Sequence, residues 1–162
     1  MTERSLSITL SAIILIIIAG WFIIAGALPI LGVDTGYDSI TVGGAIMYLY
    51  FGFDIDAQIL YWLFPVLGVL GIIVGFLLLG GKGRGLGVIS YLVTLALAAL
   101  GLIVVFAFAG VDTATGMWGY ISDAFKSADV IAALGYVLEP LLITVGSLLG
   151  LLFLVFGKRK KK

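Results

Sequence analysis

AQILYWLFPVLGVLGIIVGFLLLGGKGRGLGVISYLVTLALAALGLIVVFAFAGV, residues 57–111, carries just two charged side chains, Lys82 and Arg84, both in its glycine-rich centre. On either side lie charge-free runs, 57–81 and 85–111. A helix needs about 20 apolar residues to cross roughly 30 Å of hydrocarbon, and each run exceeds that. Gly80-Gly81-Lys82-Gly83-Arg84-Gly85 is then a tight turn between two spans. It lacks the strand and the terminal Ser or Thr of a phosphate-binding loop.

Two further stretches of the same kind flank this pair. Residues 6–33 contain no charge, and residues 130–157 contain one, Glu139. Ala25-Gly26-Ala27 has the small-residue form of a cleavage site, but the apolar run before it exceeds the usual 7–15 residues of a signal peptide. The expectation is a retained span. The predicted fold is an all-α integral membrane protein, one transmembrane domain over 1–162 with four helices and outer loops at 34–56 and 112–129. Composition agrees: 62% of the 162 residues are apolar and 11% charged, against roughly 25% charged in soluble domains.

The charges are segregated. Arg4, Lys82, Arg84 and the tail Lys158, Arg159, Lys160, Lys161 and Lys162 fall on one side of a four-span arrangement. The other side carries Lys126 and Asp34, Asp38, Asp54, Asp56, Asp112, Asp123 and Asp129. The positive-inside rule makes the basic side cytoplasmic, with both termini there. The tail anchors the last helix and can hold anionic lipid headgroups or an acidic partner. Trp62, Trp118, Tyr61, Tyr120 and Tyr136 would form an aromatic belt at the outer interface.

The second half echoes the first. Gly32-Val33-Asp34-Thr35 matches Gly110-Val111-Asp112-Thr113. At an offset of 75, Pro65 falls on Pro140, Gly71 on Gly146 and Gly75 on Gly150. Two tandem helix–loop–helix units, 1–81 and 85–157, are expected. Gly71, Gly75, Gly146 and Gly150 put small residues one turn apart, which lets helix backbones approach closely, within the chain or towards a partner. Pro65 and Pro140 are expected in the first turns of their helices, where a missing N–H matters least.

In the first outer loop, Asp38-Ser39-Ile40-Thr41-Val42 reads as a short strand and Gly43-Gly44 as a turn, giving a small β-hairpin. The aromatic run 45–53 that follows needs a cover, from a partner or the neighbouring loop. In the second, Trp118, Ile121 and Phe125 share one side of a short interfacial helix.

Chemistry is sparse. Cysteine, histidine and asparagine are absent, and glutamine occurs once, at Gln58. That removes disulfides, thiolate and imidazole ligands, and histidine-activated nucleophiles. The shortage of thermolabile residues also suits a hot habitat. Asp54 and Asp56 are weak candidates for a hard cation, short of a complete binding loop; a solvated acidic rim is the plainer reading. Glu139 is the one ionisable side chain inside a span, which makes it a candidate for proton relay, ion coordination or a buried partner contact, beside a structural or interfacial role. With the hydrocarbon ending near Phe156, about 1.5 Å per residue puts it roughly 25 Å from the inner boundary, a little below the outer one.

No catalytic residue and no cofactor is expected. The reading that follows is a non-catalytic tetraspan subunit or scaffold packed into a larger membrane assembly, respiratory, cell-envelope or viral-envelope. Its partners would be membrane lipids and other membrane chains or further copies of itself, not nucleic acid. The alternatives are a small oligomeric channel or transporter in which Glu139 and the acidic rim handle cations or protons, and an accessory part of an enzyme acting on lipid or quinone.

Overall fold

The computed structural model describes residues 6–33, 42, 45, 46, 49, 56–108 and 130–157, with side chains at all of these except 57, 58, 104–108 and 130–137. Four helices carry the architecture: α1 Leu6–Ile30, α2 Ala57–Leu79, α3 Arg84–Phe108 and α4 Val130–Phe156. Each is long and apolar enough to cross a membrane.

The helix ends follow from their local sequence. At Gly32, with φ of +68°, the chain leaves α1 through a paired cap: Val33 N–H donates to Leu28 O at 3.0 Å and Gly32 N–H to Pro29 O at 3.1 Å. α2 ends the same way at Gly81, φ +77°, where Lys82 N–H reaches Leu77 O and Gly81 N–H reaches Leu78 O, both at 2.8 Å. Only a residue without a Cβ takes this left-handed turn cheaply. Asp56 precedes α2 as its N-cap, its carbonyl accepting from Leu60 N–H at 3.1 Å.

The helices alternate in direction, and α1 is the hub. It packs most closely on α2, then on α4, while α3 leans mainly on α4 and touches α2 lightly. Glycines explain the tight α1–α2 pair. A Cβ on Gly68 would lie 2.5 Å from the Ala19 carbonyl oxygen, one on Gly71 2.8 Å from Ala19 Cβ, and one on Gly75 2.5 Å from Ile16 Cγ1. The backbones can therefore close to a distance that larger residues would forbid, and dispersion contacts follow. Phe22 and Phe64 add an edge-to-face pair at 5.7 Å. Leu15, Phe22, Phe64, Leu78, Tyr91 and Leu154 fill the interior and are almost wholly buried.

Two sequence expectations are corrected. Pro65 and Pro140 lie well inside α2 and α4 rather than in their first turns, so each leaves a helix carbonyl without its usual donor. The Pro65 ring packs where Gly26 of α1 lacks a Cβ, which ties the proline to the hairpin rather than to helix initiation.

The second correction concerns the first outer loop. Val42, its one described residue in the proposed strand, is helical, as are Ala45, Ile46 and Leu49, and no strand occurs among the described residues. Val42, Ala45 and Ile46 are buried in the main core and Leu49 packs against it. Their spacing of i, i+3, i+4 and i+7 makes one helical face. At Val42 that period outweighs the local β-propensity, and the chain's own core covers this face. The rest of the proposed hairpin, and the Trp118–Phe125 segment, lie outside the described residues.

Candidate functional site

Two polar constellations interrupt the apolar bundle. The first binds α1, α3 and α4 together deep inside it. Ser11 Oγ donates to the Gly150 carbonyl at 2.8 Å and lies 3.2 Å from the Tyr91 hydroxyl. The Tyr91 hydroxyl donates to the Ser11 carbonyl. Thr94 Oγ1 donates to the Tyr91 carbonyl at 2.9 Å and is 2.8 Å from Ser147 Oγ. With the Thr94 proton directed at Tyr91, Ser147 acts as the donor in that pair. Ser11, Tyr91 and Ser147 are wholly buried and Thr94 nearly so.

Gly150 makes room for this cluster, because a Cβ there would collide with the Tyr91 ring. Its offset partner in the first half, Gly75, instead faces Ile16 and Ala12 of α1. Gly146 makes no comparable approach: a Cβ would sit 3.5 Å from Ile18 Cδ1, an ordinary contact. Thr144 Oγ1 is a buried side-chain oxygen without a hydrogen-bond partner among the described residues.

The second constellation is Glu139. Its side chain is 9% exposed, and Oε1 accepts a hydrogen bond from Trp21 Nε1 at 2.8 Å. The helices bring the pair together because α1 and α4 run antiparallel side by side, so Trp21, late in α1, meets Glu139 in the first half of α4. Below them opens a groove of about 430 Å3 lined by Ile17, Ile18, Trp21, Leu138, Glu139, Leu142 and Ile143. Ile17 and Leu142 are 66% and 65% exposed and form its outer lip.

The remaining sequence candidates disperse. Asp56 is exposed and caps α2, and Asp54 lies outside the described residues. Among the described residues no group of three or more acidic, histidine or cysteine side chains is placed to hold a metal ion. Trp62 is 59% exposed and, with Tyr61, Pro29 and Ile30, lines a recess of about 520 Å3 at the end of the bundle opposite the 80–83 turn. Trp118 and Lys158, Arg159, Lys160, Lys161 and Lys162 lie outside the described residues. At the basic end, Arg84 Nη2 donates to the Val155 carbonyl at 2.8 Å, a cation set against the C-terminal carbonyls of α4.

Trp21 and the hydroxyl cluster escaped the reading of the sequence. The available signal was the rarity of polar side chains in these spans, with Tyr91 and Thr94, and Thr144 and Ser147, three residues apart on one helix each. Which helix faces which hydroxyl is set by tertiary packing. Comparison with protein-family models, with curated proteins and with solved structures finds no match for this chain.

Proposed function

We propose that this chain is a non-catalytic, multi-pass membrane subunit or scaffold, with both termini cytoplasmic, that packs into a larger membrane assembly. The observation that carries this reading is where the polar groups go. Ser11, Tyr91, Thr94 and Ser147 are turned inward and engaged in hydrogen bonds that hold α1, α3 and α4 together. Large apolar side chains such as Ile13, Ile73, Ile89 and Leu148 point outward from all four helices. Such a surface suits lipid and other spans, and the interior work is structural. The orientation rests on the segregation of lysine and arginine. The echo between residues 1–81 and 85–157 supports a duplicated helical hairpin as the origin of the bundle.

Extraction in native lipid particles followed by cross-linking and sizing tests this. The expected product contains this chain bound to other membrane chains or to further copies. A lone 17.1-kDa chain in every preparation would remove the proposal.

Handling of cations or protons is the second reading, favoured by the buried carboxylate of Glu139. Beside Leu15, Phe22 and Thr94 the described interior opens to a cavity of about 70 Å3, and so small a space weighs against a path through a single bundle. Equal proteoliposome flux from wild type and Glu139→Gln would take this residue out of any such mechanism.

A further inference from the structure

We propose that the groove between α1 and α4 binds an amphiphile whose cationic head, an amine or ammonium joined directly to its apolar body, sits at Glu139 and Trp21. The groove's volume of about 430 Å3 falls within the roughly 300–1,000 Å3 usual for small-ligand sites.

Its lining is ordered along the helix axes. Glu139 and Trp21 stand at one level, joined by their hydrogen bond. Ile17, Ile18, Leu142 and Ile143 continue for about one turn towards the basic end. A molecule with one polar end and one apolar end matches this order, with its head at the carboxylate and its body along the isoleucines and leucines.

Charge complementarity selects the head. The carboxylate attracts a cation, and the Trp21 N–H that holds its Oε1 fixes where that charge sits at the head of the groove. A phospholipid would set its phosphate near the carboxylate, like charge against like. A fatty acid would do the same with its own carboxylate. An amine carried directly on the apolar body avoids this repulsion, and Ile17 and Leu142, both exposed at the lip, leave a lateral way in.

The test uses the full chain in neutral detergent micelles, with hexadecylamine, hexadecanol and hexadecanoate as probes at equal mole fraction. Native mass spectrometry counts the bound molecules. The expected result is saturation by the amine at about one per chain, roughly tenfold tighter than the alcohol, with the acid weakest. Glu139→Gln keeps an acceptor for Trp21 and should bring the amine to the level of the alcohol. Leu142→Trp should fill the groove and remove both.

Equal retention of all three probes by the wild type means that the groove takes lipid without preference, and overturns the proposal. An amine preference that survives Glu139→Gln overturns it too, as does a dimer that closes over the groove and excludes every probe. The first two outcomes do not depend on assembly, and a closing dimer would overturn the site while supporting the subunit reading, so the two fail separately.

Discussion

Gly150 and Gly146 lie one helical turn apart in α4, yet a methyl group would meet very different surroundings at each. At Gly150 it would strike the Tyr91 ring, whose hydroxyl is held by Ser11. At Gly146 it would make an ordinary contact with Ile18. Gly150→Ala is expected to destabilise the bundle by about 1–3 kcal/mol, while Gly146→Ala stays neutral or gains about 0.4–1 kcal/mol from the stiffer unfolded chain. Reversible unfolding in mixed micelles would measure both, and equal losses would contradict the assignment. The hydroxyls offer a second contrast. Thr94→Val breaks two hydrogen bonds and should lose about 0.6–1.7 kcal/mol. Thr144→Val replaces an oxygen without a hydrogen-bond partner among the described residues and should be neutral or stabilising, since an unsatisfied buried polar atom costs about 1–3 kcal/mol. At this scale the sequence was half legible. Glu139 stood out as the one acid in a span, but its donor Trp21 is 118 positions away, and no local spacing reveals which helix it will meet.

The pairing of α1 with α2 depends on small residues across from bulky ones. Gly26 accepts the Pro65 ring, and Gly68 lies against the Ala19 backbone. Gly26→Ala is therefore expected to loosen this pair by about 1–3 kcal/mol. In the Pro65→Ala background the same change should lose markedly less, because its obstacle is gone. A double-mutant cycle reads that coupling directly, and strict additivity would refute the contact. The four long helices were plain from charge-free length alone, and their ends from Gly32, Gly81 and the turn around Lys82. Two things misled. Val42 ends a stretch that reads as a strand, whereas with Ala45, Ile46 and Leu49 it forms a helical face that shows only over eight residues. The prolines read as helix starters, yet each lies in a helix interior, and Pro65 packs there against Gly26.

For the molecule as a whole, the segregated charges predict its orientation. The chain has no cysteine, so a single introduced thiol reports its side of the membrane without background. A cysteine replacing Lys82 should be labelled from the cytoplasm alone, and one replacing Asp56 from outside alone. Exchange of the two sides would invert the four-span map and labelling of both from one side would abolish it, and with either would go the reading of Glu139 as an acid near the outer boundary. The bundle's uneven cohesion has a further consequence. The first helical hairpin is locked by its own glycines, while the second joins it through partners far apart in sequence, Ser11 to Gly150 and Trp21 to Glu139. The link at 80–83 is short and exposed at Gly81 and Lys82. Such a chain should survive being severed there: two half-chains made separately in one cell would recognise each other through those distant hydrogen bonds and reassemble without the peptide that once joined them.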